Sequence, residues 1–250
     1  MVASALFSGL WLKLFRCRVF CTLFHAYLQI FVWTILTTGA VTCQHMDAFS
    51  LTAHNWRQLA SKGVLDCINW LQHYHRLPDA AAAALASICI EGHTPKGQSL
   101  QPIGHTCRTV YVLMQGLMRI HYNKDGTDIT ESFETAPTVV ARVESLFSGR
   151  PSRKGIQALE TSHWVAISAS RLFDLYDVHP SVERLFRNVF EEGYVKTVNR
   201  LESLQFNTAE ERYRQLLEEH PEIVQRAPLK HIASYLGITQ VSLSRIRAKR

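Results

Sequence analysis

The sequence lacks the patterns that bind metals or carry common enzyme chemistry. Six cysteines are present, at positions 17, 21, 43, 67, 89 and 107, without a Cys-x-x-Cys pair or paired metal-ligand spacing. It also lacks a glycine-rich phosphate loop and a convincing serine–histidine–aspartate arrangement. We therefore expect no catalytic residue, no metal site and no cofactor. Most of the cysteines are expected to be small buried residues in a reducing compartment.

Acidic residues are missing from the C-terminal end of the chain. None follows Glu222, whereas six basic residues do: Arg226, Lys230, Arg245, Arg247, Lys249 and Arg250. The whole chain carries a formal net charge of +6, with 47% hydrophobic and 19% charged residues. A local basic surplus indicates contacts with nucleic-acid phosphates. A solvated basic tail on an ordinary helical hairpin is the alternative.

The same segment, Leu229–Arg250, has the pattern of a helix-turn-helix. Apolar residues stand where two crossing helices would touch: Ile232, Leu236, Ile238, Leu243 and Ile246. Ala233 is small at the crossing point, and Gly237 stands where the first helix must end in a left-handed conformation. Thr239 can cap the second helix. The residue types required at these positions are all present, so the segment predicts a helix pair.

An apolar run near the N-terminus conflicts with that prediction. Val19–Cys43 is long and apolar enough to span a bilayer, and basic residues precede it. Those charges would hold the N-terminus in the cytoplasm and put the helix-turn-helix outside the cell, where no DNA is available. We interpret residues 1–45 as the product of a misassigned start codon, with Met46 as the true start. A membrane anchor or a cleaved signal segment is the alternative.

The middle of the chain changes from a helical to a β pattern. Residues from about Leu51 to Ala86 have helical spacing, whereas Glu91–Ile167 is a series of short apolar runs separated by turn residues. Asp125-Gly126 is a strong hairpin signal between two of these runs. The pattern predicts an α+β fold with an antiparallel β-barrel or jelly roll.

A long helix over residues 181–206 is predicted to carry one apolar stripe. Its members recur three or four residues apart: Phe186, Phe190, Tyr194, Val198, Leu201 and Leu204. The stripe can bury against an identical helix in a homodimer, or against its own barrel. Thr208 then opens a new helix, with Glu211 completing a capping box. We predict domains over 46–180, 181–206 and 207–250.

Short motifs along the β region occur in an order that supports one family resemblance. They are Gly104, Tyr111, Gly116, Arg119, Asp125-Gly126, Glu144-Ser145-Leu146, Pro151-Ser152-Arg153 and Ala158-Leu159-Glu160. Together with the long helix and the helix-turn-helix, they resemble the Crp/Fnr family of transcription regulators, with a cyclic-nucleotide-binding-like domain. The resemblance covers roughly residues 71–250 and is most specific over Thr208–Arg250. It implies a cytoplasmic homodimer that binds double-stranded DNA at a two-fold symmetric operator, with RNA polymerase as a further partner.

The resemblance assigns the DNA contacts to the helix Thr239–Lys249. The residues implied at bases or phosphates are Thr239, Gln240, Val241, Ser242, Ser244, Arg245, Arg247 and Lys249. Arg245 can make a bidentate contact to guanine, and Gln240 can do the same to adenine. Val241 replaces an acidic residue common in the family and cannot accept a hydrogen bond from cytosine. The classical family operator is therefore not expected.

The nucleotide pocket implied by the resemblance departs from the family pattern. Members that bind cyclic nucleotides have Gly-Glu and, ten residues after that Glu, an arginine that pairs with the phosphate. Here Val143 precedes Glu144, Lys154 stands at the arginine position and Arg153 is one residue early. A misplaced arginine loses bidentate geometry, so cyclic AMP is not the expected effector. Glu144, Arg150 and Arg153 are expected to form a structural ion cluster or to bind another small-molecule effector.

The main alternative is a membrane-anchored module that senses a nucleotide or another small molecule and has no DNA role. It takes Val19–Cys43 as a transmembrane segment and the basic C-terminus as a patch for lipid surfaces. A further alternative, an enzyme built on the barrel, is opposed by the missing nucleophile and metal ligands.

Overall fold

The computed structural model describes residues 55–248. The apolar run Val19–Cys43, the start at Met46 and the predicted contact residue Lys249 lie outside the described residues. Among the described residues, no helix combines the length and the apolar character needed to cross a membrane. The described elements belong to one structural unit, Ala53–Arg250.

Eight antiparallel strands form two four-stranded sheets. The strands are β1 (Cys89–Thr94), β2 (Ser99–Gln101), β3 (Thr109–Gln115), β4 (Leu117–Lys124), β5 (Thr127–Thr135), β6 (Thr138–Val140), β7 (Gly155–Ala158) and β8 (Ser162–Ser168). Their orders are β1-β8-β3-β6 and β2-β7-β4-β5. The predicted α+β class with antiparallel strands is confirmed, but the sheets form a sandwich and do not close into a barrel. Closure fails because β5 and the other terminal strands of each sheet lack a second strand partner.

The predicted hairpin joins β4 to β5. Asp125 and Gly126 have φ angles of 52° and 80°, so both central residues of the turn are left-handed. Two such residues match the right-handed twist of the flanking strands, which is why Asp-Gly is favoured there. The side-chain oxygen of Asn123 accepts a hydrogen bond from the Gly126 amide at 2.9 Å. Local turn chemistry therefore sets the register of the strand residues next to the turn, as far as the irregularity between Ile120 and His121.

Nine helices of six or more residues are described. They are α1 (Lys62–Leu71), α2 (Asp79–Ser87), α3 (Val143–Ser148), α4 (Ala169–Val178), α5 (Pro180–Phe206), α6 (Ala209–Glu219), α7 (Pro221–Arg226), α8 (Leu229–Leu236) and α9 (Gln240–Ala248). The predicted capping box is present at the start of α6, where Thr208 and Glu211 exchange hydrogen bonds. This reciprocal cap satisfies amides that would otherwise have no partner at the helix start.

One apolar core joins the sheet β1-β8-β3-β6 to the helices that cover it. Ile68 of α1, Leu85 of α2, Leu172 of α4 and Phe186 of α5 are fully buried in the same cluster as Val165 of β8. Burying side chains of this size stabilises the fold by about 1.5–3 kcal/mol each. The core therefore attaches the first half of α5 to the sandwich.

The second half of α5 leaves that core. Val182, Leu185 and Val189 are buried, whereas Tyr194 is 71% exposed and Leu201 is 54% exposed. The single stripe predicted from the sequence is thus divided. Its first part packs against the protein's own sandwich, and its second part is an apolar surface that no described element covers.

A second core holds the C-terminal helices together and extends onto the sandwich. Leu216 of α6, Ile232 of α8 and Leu243 of α9 are buried in it. Leu117 of β4 and Leu159 belong to the same cluster. The helix-turn-helix unit, residues 209–248, therefore packs on the outer face of the sheet β2-β7-β4-β5.

Candidate nucleic-acid interface

The turn between α8 and α9 has the geometry that the sequence predicts. Gly237 ends α8 in the left-handed region, with φ 72°. The Gly237 amide donates to the Ser234 carbonyl at 3.0 Å, and the Ile238 amide donates to the Ala233 carbonyl at 3.0 Å. These bonds satisfy carbonyls that the end of a helix leaves unpaired. The hydroxyl of Thr239 accepts from the Ser242 amide at 3.1 Å and caps α9.

Helix α9 presents one continuous exposed face. Gln240, Val241, Ser244 and Arg245 are all exposed, and their spacing puts them on one side of the helix. Leu243 is buried on the opposite side. Four of the predicted contact residues are therefore brought together on a surface that a DNA groove can reach.

The remaining predicted contact residues have different surroundings. Thr239 and Arg247 are exposed, and Arg247 lies in the last turn of α9, where a positive charge is favoured by the helix dipole. Ser242 is partly buried, with its hydroxyl 3.0 Å from that of Thr239. Ser242 thus belongs to the cap of the helix. Lys249 lies outside the described residues.

The C-terminus of α8 is held by an arginine that the sequence interpretation missed. Arg212 of α6 donates to the Leu236 carbonyl from Nη2 at 2.8 Å and from Nε at 3.2 Å. It also donates to the Asn207 carbonyl. A cation at a helix C-terminus is favourable both as a hydrogen-bond donor and as a charge. Arg212 therefore fixes the helix that precedes the turn.

An ion pair with a buried arginine lies on the sheet face beneath the helix-turn-helix unit. Arg119 of β4 is 3% exposed in its side chain and binds Asp128 of β5, with 2.6 Å between Nη2 and Oδ2. Arg119 also donates to Gln157 at 2.8 Å and to the hydroxyl of Thr130 at 3.0 Å. Desolvation would raise the pKa of Asp128, but hydrogen bonding to Arg119 and the arginine's charge lower it overall. The ion pair is thus a fixed, charged feature of the domain contact.

His231 of α8 is buried beside that ion pair. Burial and the positive charge of Arg119 lower the pKa of His231 to about 4. His121 lies 3.3 Å from Asp128, and burial and Arg119 lower its pKa as well. Both imidazoles are therefore neutral at neutral pH, which avoids adding a second buried cation next to Arg119.

Glu144 lies in a partly exposed ion network, but with other partners than the sequence predicts. It accepts hydrogen bonds from Ser152 at 2.8 Å and from Arg142 at 2.9 Å. Lys154 lies 2.5 Å from Glu131 of β5, and Arg142 lies 3.9 Å from the same carboxylate. The network therefore pairs two cations with two carboxylates and is neutral overall.

Arg150 and Arg153 do not join this network. Both are exposed, and the carbonyl of Arg150 is the group that accepts from the buried Ser145 hydroxyl. The expected ion cluster thus forms with Arg142 and Lys154 in their place. Effector binding by Glu144, Arg150 and Arg153 stays a prediction. Among the residues from 55 to 248, no group of three potential ligands is arranged to hold a metal ion.

The arrangement defines a class of protein in which a β-sandwich is joined by a long helix to a helix-turn-helix unit. No family model and no curated protein sequence matches the chain. Solved structures do match it. The first example is a transcriptional regulator assigned to the Crp/Fnr family from Eubacterium rectale, with 16% identity, a TM-score of 0.59 and coverage of 72% of this chain and 87% of the other.

Two further structures have similar scores. The c-di-GMP responsive global regulator CLP from Xanthomonas campestris has 15% identity and a TM-score of 0.56, over 69% of this chain and 91% of the other. FixK2 from Bradyrhizobium japonicum has 21% identity and a TM-score of 0.55, over 65% and 84%. The chain therefore has the Crp/Fnr fold, as the sequence resemblance predicts.

Proposed function

We propose that the protein is a homodimeric, DNA-binding transcription regulator. The observation that carries this proposal is the exposed face of α9, with Gln240, Val241, Ser244 and Arg245 presented by a correctly formed turn. The major groove, about 12 Å wide, admits a helix and displays a distinct donor and acceptor pattern for each base pair. Arg245 and Gln240 carry the side chains suited to guanine and adenine.

The exposed half of α5 supports the homodimer. Beside Tyr194 and Val195, a groove of about 570 Å³ opens between α5 and Phe147 of α3. The exposed apolar side chains of this half, Tyr194, Val195, Leu201 and Leu204, are of the kind that a protein interface buries. Pairing two copies along α5 presents two recognition helices. Both can dock when the half-sites lie roughly 34 Å apart, one helical turn of DNA. The operator is therefore expected to be two-fold symmetric.

We further propose that cyclic AMP is not the effector. Lys154, the residue at the position of the family's phosphate-binding arginine, is paired with Glu131, and Arg142 is paired with Glu144. A cyclic phosphate would have to displace a carboxylate from each cation before it could bind. The regulator is expected to act in the cytoplasm, where DNA and RNA polymerase are available.

Selection of random duplex DNA by the full chain tests the proposal. The expected result is a two-fold symmetric motif with half-sites one helical turn apart. The variant Arg245→Ala should recover a motif with relaxed preference at one base position. Recovery of no motif by folded protein at low salt would contradict the proposed function.

A further inference from the structure

The helix-turn-helix unit is attached to the sandwich through the edge of a sheet. Because β5 is the last strand of the sheet β2-β7-β4-β5, its outward-facing backbone groups lack a strand partner. Ser234 of α8 supplies one. Its hydroxyl accepts a hydrogen bond from the Thr130 amide at 2.8 Å and donates to the Asp128 carbonyl at 3.3 Å. One side chain thus satisfies both a donor and an acceptor of the edge strand.

A second attachment comes from the long helix. The guanidinium of Arg200, on α5, lies over the Tyr235 ring at 3.7 Å from the ring centroid. The same group donates a hydrogen bond to the Tyr235 carbonyl. A planar guanidinium can stack and donate at once, whereas a lysine ammonium has no flat face to stack. Arg200 therefore fixes the direction of α8 as well as its distance from α5.

Aromatic packing and another ion pair also join the helix-turn-helix unit to the sandwich. Phe133 of β5 and Tyr235 of α8 lie with their ring centroids 5.3 Å apart. Arg226 of α7 pairs with Glu160, with 3.2 Å between Nε and Oε2. The ring contact is chiefly apolar burial, which has little directional preference. The Arg226–Glu160 pair is bidentate and directional, but it holds α7 and not α8. Relative to the sandwich and to α5, the orientation of α8 is thus set by the hydrogen bonds of Ser234 and by Arg200, whereas Arg212 holds α8 to α6.

We propose that Arg200 and Ser234 are the positioning residues of the DNA-reading unit. They fix α8, and the turn at Gly237 passes that orientation on to α9, whose Leu243 packs in the same core. Arg200 lies beside Leu201 in the exposed half of α5. A change in the packing of two long helices therefore has a direct path to α8 through Arg200. The attachment follows from the structure alone, whereas its effect on DNA rests on the function proposed above.

Amide hydrogen exchange tests the attachment without DNA. In Ser234→Ala, exchange of the Thr130 amide should become about tenfold faster, because its acceptor is removed while the β4 pairing remains. In Arg200→Lys, which retains the charge, exchange should accelerate similarly across Leu229–Leu236. Amides of the buried strand β8 should be unchanged in both variants. The control Arg184→Lys, at an exposed position of the same helix, should match the wild type. Unchanged exchange in both test variants would overturn the attachment.

Half-site spacing tests the positioning role. Duplex selection with Arg200→Lys and Ser234→Ala should recover the wild-type bases within each half-site but accept a wider range of spacings. Arg245→Ala should show the opposite result, with altered base preference and unchanged spacing. Loss of affinity at unchanged spacing would overturn the positioning role, since a general structural defect has that effect. If the wild type selects no duplex, the proposed function fails, while the exchange measurements still decide the attachment.

Discussion

Asp128 accepts two hydrogen bonds from the buried guanidinium of Arg119, at 3.0 Å from Nη1 and 2.6 Å from Nη2. The side chain of Arg119 is 3% exposed, whereas that of Asp128 is 46% exposed. The carboxylate therefore lies at the solvent side of the pair and compensates a charge that water cannot reach. Removing Asp128 would therefore leave a buried cation unpaired, whereas removing Arg119 would leave a carboxylate that water can solvate.

Replacing Asp128 by asparagine is expected to destabilise the fold by about 1–3 kcal/mol. The amide retains the shape but removes the compensating charge, and its amino group cannot accept from Arg119. Urea unfolding measures the loss. Asp125→Asn is the matched control, because Asp125 is exposed in the hairpin turn and asparagine tolerates its positive φ. Equal unfolding free energies for the two variants would contradict this role of Asp128.

Stability is expected to fall as the pH drops from 6.5 towards 4. The folded-state pKa of His231 is about 4, whereas an unfolded histidine titrates near 6.5. In that window the unfolded chain binds a proton that the folded chain excludes. The contribution of His231 to the free energy of unfolding is therefore fully present above about pH 6.5. Below that pH it decreases by up to about 1.4 kcal/mol per pH unit. The lowered pKa of His121 adds a slope of the same sign.

The variant His231→Gln isolates this contribution to the pH dependence. Its unfolding free energy, measured by urea titration at pH 7, 6 and 5, should change less with pH than that of the wild type. His105→Gln, at an exposed position, is the matched control. A slope in His231→Gln equal to the wild-type slope would show that the buried imidazole does not titrate in this window.

Two glycines offer a matched pair of alanine substitutions with opposite expected effects. Gly237 has φ 72°, and a Cβ there would meet nothing closer than Arg212 Nη2 at 3.9 Å. Gly237→Ala should therefore cost about 1–2 kcal/mol through backbone strain alone. Gly193 lies inside α5 with nothing within 4 Å of an added Cβ. Gly193→Ala should stabilise by about 0.5–1 kcal/mol. Thermal unfolding of both variants checks the two signs.

A charge in the exposed apolar half of α5 is expected to separate the proposed dimer. Leu201→Glu puts a carboxylate into the apolar surface, where burying it against a second copy is costly. Light scattering after size-exclusion chromatography should show a dimer for the wild type and a monomer for the variant. Asn199→Asp adds the same charge at an exposed position on the opposite side of α5 and should remain dimeric. Dimers in both variants would place the interface elsewhere.

Arg245→Ala is expected to weaken binding to the selected operator by about 1–3 kcal/mol and to relax specificity at one base position. The loss should be small on operators already mismatched at that position. Binding titrations on the full set of single-base operator variants measure this pattern. A uniform loss on every sequence would instead assign Arg245 to a phosphate contact.

Local chemistry explains what the sequence predicts correctly. The hairpin at Asp125-Gly126 and the turn at Gly237 each need a left-handed backbone, which few residue types tolerate. The capping box at Thr208 and Glu211 is likewise complete within four residues. Such features are visible in the chain because the interacting groups are close in sequence.

Contacts between distant polar residues were not predictable in the same way. Thr130 and Ser234 are separated by 104 positions, and neither belongs to a recurring pattern. The pairing of Lys154 with Glu131 joins a loop to a strand, and no spacing rule connects them. The division of the α5 stripe also follows from where the sandwich ends. These features depend on the assembled fold. Hydrophobic periodicity in the sequence predicts which faces are buried but gives no information on which polar residues will be partners.

The contact between Ser234 and the edge of β5 also bears on solubility. An uncovered strand edge is a template for pairing with a strand of another chain, which leads to association and aggregation. In this protein α8 covers that edge with a hydroxyl in place of another strand. When the helix-turn-helix unit separates from the sandwich, the edge of β5 is therefore exposed and can pair with a strand of another chain. The unit therefore protects the sheet from pairing with other chains. When the unit is released, aggregation is avoided only if the released state is short-lived or the protein concentration is low.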